Sequence, residues 1–201
     1  MIDVLAVGHA PILSINRRFY RVLPRRGLSV ELAVPASLPF ASPAVEPRRD
    51  GDPPVHFLAP RGAQTRFWTF DGLTALLDAR MPRFVLLENE PDSRMAWEIG
   101  GWTRRNGAKL LCISNENDLP PPLITLLQGE SRRALRSLRS RIWSLAARRR
   151  VDHVFAICND GVTAMGDLGF GGRVTRIPLG FDPNPTRPYR WLGRLQPALF
   201  A

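Results

Sequence analysis

The sequence predicts an α/β fold, a doubly wound parallel sheet of about seven strands with helices packed on it. Three observations carry this. Short apolar runs alternate with helical patterns along the whole chain, and no internal repeat or low-complexity tract interrupts them. The run Phe84–Leu87 is apolar at every position, which suits a strand buried on both faces of a parallel sheet. That run passes straight into Glu88, Asn89, Glu90, Pro91 and Asp92. Open α/β sheets bind ligands beyond the carboxyl ends of their strands, so the stretch is also the first functional clue.

The elements follow in order. Ile2–Val7 is the first strand, and Gly8-His9-Ala10-Pro11 is a polar turn. Ser14 is placed to cap a helix with Ile15, Phe19, Val22 and Leu23 as its apolar face, which Pro24 shortens and Gly27 closes. Ser29–Val34 completes a β-α-β unit with a right-handed crossover. Residues 36–54 hold five prolines and no periodicity, and read as an exposed loop. Val55–Ala59 is a third strand; Asp71 then caps a helix carrying Leu73, Leu76 and Leu77, and the fourth strand begins at Arg83. Asp92 or Ser93 caps a helix with Met95, Ile99 and Trp102 on one face, ending at Asn106-Gly107. Lys109–Ser114 is the fifth strand, delivering Asn115, Glu116, Asn117 and Asp118, and Leu119–Pro122 makes a rigid turn. Glu130–Arg150 is strongly basic, with a helical stripe of Leu135, Leu138, Ile142 and Leu145. Asp152–Ile157 is a sixth strand, a short helix through Met165 and Leu168 stops at Gly169, and Val174–Pro178 is a seventh. It delivers Leu179, Gly180, Phe181 and Asp182, and Pro183–Ala201 shows no eighth unit.

At 201 residues, 44% of them hydrophobic and with no long apolar run, the chain reads as one soluble domain. Met1-Ile2-Asp3-Val4-Leu5 carries an acid and no basic leader, so it reads as a strand and the cytoplasm is the expected location. All but one of the 28 basic residues are Arg, the exception being Lys109. A net charge of +10 favours anionic partners. Cys112 and Cys158 sit in apolar runs without metal-ligand spacing and read as buried reduced thiols.

Candidate chemistry gathers at the strand ends. Asn159 and Asp160 are also ordinary helix-capping residues, whereas Glu is not a preferred cap, so Glu88 and Glu90 are the better candidates for recognising a hydroxyl or a cation. His9, in the first strand-to-helix turn, is placed to donate to a substrate hydroxyl or to move a proton, the plain alternative being a surface loop histidine. His56 and His153 lie within strands and read as structural. The glycines at 166, 169, 171 and 172 follow a helix and precede a strand, the reverse of a dinucleotide loop, and read as a helix end and turn. Phosphate-loop, nucleophile-elbow and zinc-protease motifs are absent from the sequence. The Arg-rich helix has three readings: a core-packed helix with a solvated basic face, an interfacial helix whose apolar stripe and Trp143 meet anionic lipid, or, ranked last, a nucleic-acid surface.

Several of these pieces together carry a resemblance. Glu88-Asn89-Glu90-Pro91-x-Ser93, Trp97, Ser114-Asn115-Glu116-Asn117, Val151-Asp152-His153-Val154-Phe155-Ala156, Gly169-Phe170-x-Gly172 and Ile177-Pro178-Leu179-Gly180-Phe181-Asp182-Pro183 stand in one order over residues 2–183. The pattern resembles the amino-terminal half of family 4-like glycosyltransferases. The resemblance implies a GT-B enzyme built of two Rossmann-like domains facing across a cleft. The amino-terminal domain shapes the acceptor site, and a carboxyl-terminal domain binds the nucleotide sugar. Such enzymes retain anomeric configuration and need no metal or other cofactor. Two departures stand out. Many relatives carry a His after the fifth strand, where this chain has Asn115, Glu116 and Asn117. The sequence also stops where the second domain would start, so 1–183 is expected to be the acceptor-side domain and 184–201 a linker.

On this resemblance His9, Glu88, Glu90, Asn115, Glu116 and Asn117 line the acceptor side and bind hydroxyls, Gly180, Phe181 and Asp182 mark the interdomain hinge, and no catalytic residue is assigned. The expected partners are a sugar or lipid-linked acceptor, a separate donor-binding domain, and an anionic membrane surface at the inner face of the membrane met by Glu130–Arg150. Glycosyl transfer needs donor and acceptor held in one water-shielded site, so the chain alone is expected to be largely inactive. The rival readings are a standalone binding or scaffold module, half of a split enzyme and, last, a basic nucleic-acid-binding protein.

Overall fold

Every residue of Val4–Gly8 is buried, and this strand, β1, lies inside the main sheet. The computed structural model describes residues 1–37, 45–62, 65–116 and 122–177. After β1 come a single 3-10 turn at Ala10–Ile12, helix α1 (Ser14–Arg25), β2 (Val30–Pro35) and β3 (Val55–Leu58). A two-residue antiparallel pair, β4 (Pro60–Arg61) with β5 (Thr69–Phe70), leads into α2 (Leu73–Arg80) and β6 (Phe84–Glu88). Then follow α3 (Arg94–Asn106), β7 (Lys109–Ser114), α4 (Pro122–Leu127), α5 (Ser131–Ala147), β8 (His153–Ala156), α6 (Asn159–Met165) and β9 (Val174–Arg176).

The seven long-range strands pair in the order β3-β2-β1-β6-β7-β8-β9, and every pairing is parallel. The chain winds outward from β1 to β3, returns to β6, and winds outward the other way. The predicted doubly wound α/β sheet is therefore the observed one, and its direction reverses between β1 and β6. Alternation along β1 splits the core between the two faces. Leu5 and Val7 join Val85, Leu87, Trp68, Ile99, Trp102 and Phe170 in one cluster, while Val4 and Ala6 join Leu32, Val34, Leu86 and Tyr20 in the other.

Helix α3 matches its prediction. Ser93 caps it by accepting from the Ala96 amide at 3.2 Å, Gly107 ends it at φ 69°, and Met95, Ile99 and Trp102 are buried. The short β4–β5 pair escaped prediction because two residues hold no periodicity. Three other expectations are corrected. Asp71 does not cap α2: Gly72 occupies that position and Asp71 pairs with Arg61. Ser14 does not cap α1 either; it is the first helical residue, and its amide donates to the Glu46 carboxylate at 3.1 Å. The loop before β3 is not simply exposed, since Asp52 is buried beneath α1.

The larger corrections concern which face two helices bury. In α1 the predicted apolar face is mostly outside: Ile15, Phe19 and Val22 are exposed, and Ser14, Arg17 and Tyr20 are buried. Arg17 is completely buried because its guanidinium finds acceptors at every side: the carbonyls of Pro11, Ile12, Glu46 and Pro47, and Asp52 at 3.2 Å. Five acceptors remove the usual cost of burying a charge. In α5 the stripe Leu135, Leu138, Ile142 and Leu145 is exposed, so the helix packs on the protein by a different face from the one expected. The helix buries Ala134, Ser137, Ser140, Ser144 and Ala147 instead, small side chains that let its backbone seat close to its neighbours.

Candidate functional site

The reversal between β1 and β6 is where an open parallel sheet leaves a crevice at its carboxyl edge. Gly8 and Glu88, the last residues of the two strands, face each other in register there. A Cβ on residue 8 would lie 2.5 Å from Glu88 Oε2 and 2.6 Å from Glu88 Cβ, so only glycine leaves room for this carboxylate. Tyr20, buried on α1, donates its hydroxyl to Glu88 Oε1, and the Ala10 amide also bonds the carboxylate. Burial nonetheless dominates and raises the Glu88 pKa to about 7 against these two donors. Oε2 is buried with no partner among the described residues. Burial also pushes the Tyr20 phenol well above its ordinary value, with the Glu88 charge adding to it, so Tyr20 acts as a donor only.

Glu90, two residues on, is held from β7. Ser114 donates to Oε2 at 2.5 Å and the Asn115 amide to Oε1 at 2.8 Å. Its pKa is likewise raised to about 7, chiefly by burial and further by the nearby Glu116 charge, against the pull of Ser114, Asn115 and Arg66. Glu116 is buried yet paired: Arg136 on α5 approaches at 3.1 Å and Arg66 at 3.7 Å. Arg66 also binds Asp92 through Nε and Nη2 at 3.0 and 2.8 Å. Acids from the ends of β6 and β7 are thus tied to the segment before β5 and to α5 by one ion-pair network.

His9 lies at the same edge, open to solvent on one side and packed edge-on against buried Trp68, with ring centroids 6.1 Å apart. Desolvation by the surrounding protein lowers its pKa, which favours the neutral ring. Asn115 is exposed, with its side chain free to meet a ligand. Asn117, Gly180, Phe181 and Asp182 lie outside the described residues, as does the 183/184 boundary. Of the predicted site residues, the structure therefore gathers His9, Glu88, Glu90, Asn115 and Glu116 along one edge. Glu116 is engaged by arginines, whereas Glu88 keeps a free oxygen. Tyr20, Arg66, Trp68, Ser114 and Arg136 complete the site without having been predicted for it. Ser114 stood inside a motif already singled out and Arg136 inside the basic Glu130–Arg150 segment, whereas Tyr20, Arg66 and Trp68 carry no local signal.

Chemically, Glu88 and Glu90 are each part-protonated near neutral pH, so each carboxyl can accept from or donate to a hydroxyl. Among the described residues no group of three or more His, Cys, Asp or Glu is placed to hold a metal ion. No helix among them is long and apolar enough to cross a membrane.

No family model matches the sequence, and no curated protein does. Solved structures do. The Anabaena protein HepE (Alr3699), solved in complex with UDP and glucose, superposes with a TM-score of 0.53 over 92% of this chain at 14% identity. The same protein in complex with UDP-glucose gives 0.53, 92% and 14%. The likeness is one of fold. The chain spans about half the length of HepE, 48% and 47% in the two structures.

Proposed function

We propose that this chain is the acceptor-side domain of a GT-B glycosyltransferase, of the family 4-like type, with the edge of β1, β6 and β7 as one wall of the cleft. The observation that carries the reading is the fold likeness, over 92% of this chain but 48% of its neighbour, to a protein solved with UDP and glucose. In this reading Glu88 and Glu90 hydrogen-bond hydroxyls of a sugar acceptor. The unpartnered Glu88 Oε2 and the neutral His9 ring supply the free acceptor and donor positions, and Asn115 contributes from β7. Arg66 and Arg136 hold Glu116, and through it the β7 end, at a set distance from β6.

The donor side comes from a second domain, and the hinge falls near Gly180, Phe181 and Asp182. The nucleotide sugar is a substrate, and among the described residues at this edge Arg66 and Arg136 are engaged with acids rather than set to cradle its phosphates. Incubating residues 1–201 with UDP-glucose and candidate saccharides is expected to give no transfer above background, by mass spectrometry of the saccharides. Sustained turnover by this chain alone would refute the division of labour.

The acceptor is lipid-linked in this proposal, and the protein works at the inner face of an anionic membrane. The support is the exposed stripe of α5, whose residues are 47–67% exposed, beside a neighbouring helix, α4, that also exposes Leu123, Ile124, Leu126 and Leu127. Single exposed apolar residues need no explanation, but a set on two neighbouring helices among arginines fits a headgroup boundary. The charges are available: Arg139 stacks on Phe67 at 4.2 Å and Arg141 bonds the Asp167 carbonyl at 3.3 Å, neither partner being anionic. Co-sedimentation with phosphatidylglycerol vesicles should exceed that with phosphatidylcholine and fall as salt rises. Equal binding to both would refute it.

A further inference from the structure

The opposite edge of the sheet carries a second constellation. At the amino end of β7, where α3 ends and α5 hands over to β8, a cavity of about 280 Å³ is lined by Arg104, Lys109, Arg149, Arg150 and Arg173, with Asp152 the lone carboxylate among its described lining residues. Both oxygens of Asp152 are already used, one by Lys109 Nζ at 2.9 Å and the other by the Leu110 amide at 2.9 Å. One acid therefore faces five cations.

Two of these cations are held by neutral groups. Arg173 Nη1 donates to the carbonyls of Arg148 and Val151, both at 2.7 Å. Arg150 Nη1 donates to the Trp97 carbonyl at 2.9 Å, and its guanidinium lies 3.2 Å from the centre of the Trp97 ring. Carbonyls and a ring face fix the geometry of a guanidinium without cancelling its charge. Burial lowers the Arg150 pKa, and the Arg104 and Arg105 charges lower it further, so the cluster repels itself. An ordinary solvated basic face separates its cations. This one collects them in a concavity and orients them, which is what a forked donor set needs to take phosphate oxygens in pairs.

We infer that this amino-edge cavity is a binding site for a phosphoryl-bearing anion, with Arg173 as its oriented donor, Arg104, Arg149 and Lys109 as its rim, and Arg150 adding its charge from the Trp97 side. It is distinct from the carboxylate edge and does not rest on the glycosyltransferase reading. A soluble polyphosphorylated compound and a phospholipid headgroup share this chemistry, and the test separates them.

Isothermal titration with inorganic pyrophosphate at low salt should show one saturable event. The Arg104→Ala/Arg149→Ala double variant, both side chains being exposed, should weaken it about tenfold or more, two charge-assisted contacts being lost. The Arg25→Ala/Arg26→Ala variant, exposed at the end of α1, removes the same net charge elsewhere and should leave affinity unchanged. Phosphatidylglycerol vesicles form the second arm. Added as competitors to the pyrophosphate titration of Leu138→Ser/Ile142→Ser, vesicles that displace pyrophosphate assign the site to a headgroup, and vesicles that leave it bound assign it to a soluble ligand. No pyrophosphate binding, or equal weakening by both double variants, would overturn the site.

Discussion

At the residue scale burial raises the pKa of two carboxyls, Glu88 and Glu90, to about 7. The folded chain holds the Glu88 and Glu90 protons up to about pH 7, whereas the unfolded chain releases them near its ordinary 4.5. Between those values the folded state binds more protons. Stability therefore falls as pH rises through that window, and the loss is complete above the folded pKa. The Tm of the chain should drop between about pH 5 and about pH 8 more steeply than that of Glu88→Gln/Glu90→Gln. Tyr20→Phe removes a donor that favours the charged form, so carbon-13 NMR should find the Glu88 pKa higher still, with about 1–3 kcal/mol of stability lost. Gly8→Ala should cost about 1–3 kcal/mol and displace the Glu88 carboxylate, because the added methyl meets it at 2.5 Å. Glu88 and Glu90 were legible in the sequence because they end an apolar strand and Glu is not a preferred helix cap. Tyr20 was not: it sits 68 residues away from Glu88 on a helix whose other face looked like the core.

At the element scale, α1 and α5 show how periodicity misleads. Each carries two stripes at helical spacing, and the more apolar one stays outside. Polarity alone assigns Arg17 and Tyr20 to solvent; what buries them is a set of partners distant in sequence, from Glu46 to Glu88. Arg17→Ala should cost about 3–5 kcal/mol in chemical denaturation, because it empties a buried site, strips four carbonyls of a donor and frees the loop after residue 45 from α1. Arg21, also on Asp52 at 2.6 Å, limits the damage without replacing Arg17. On α5 the small residues pack and the leucines face out, so Leu138→Ser/Ile142→Ser should change stability by less than about 0.5 kcal/mol. The same variant should lose most vesicle binding, a split that a core-packed stripe would reverse. Helix α3 needed no correction because its cap, its apolar stripe and its closing glycine all agree.

At the scale of the whole molecule, the seven-stranded, doubly wound parallel sheet was legible because each strand is a short apolar run that stops at a polar turn. What lay beyond reach was tertiary: the β4–β5 pair, the arginine network behind Glu116, and the cationic cavity at the far edge. Arg104, Lys109, Arg149 and Arg173 are scattered over 69 positions and meet only because α3, β7, α5 and β9 converge there. The carboxyl edge holds two buried carboxyls, Glu88 and Glu90, that form no ion pair among the described residues, while the amino edge gathers arginines that bond to carbonyls. A sugar acceptor, rich in hydroxyls and uncharged, suits the carboxyl end. Amide-proton chemical-shift mapping of the chain, titrated first with a panel of oligosaccharides and then with UDP-glucose, tests this most directly. The account predicts saccharide-induced shifts at His9, Glu88, Glu90, Asn115 and Glu116, and none there from UDP-glucose. Silence of those amides to every saccharide, with UDP-glucose moving them instead, would contradict it.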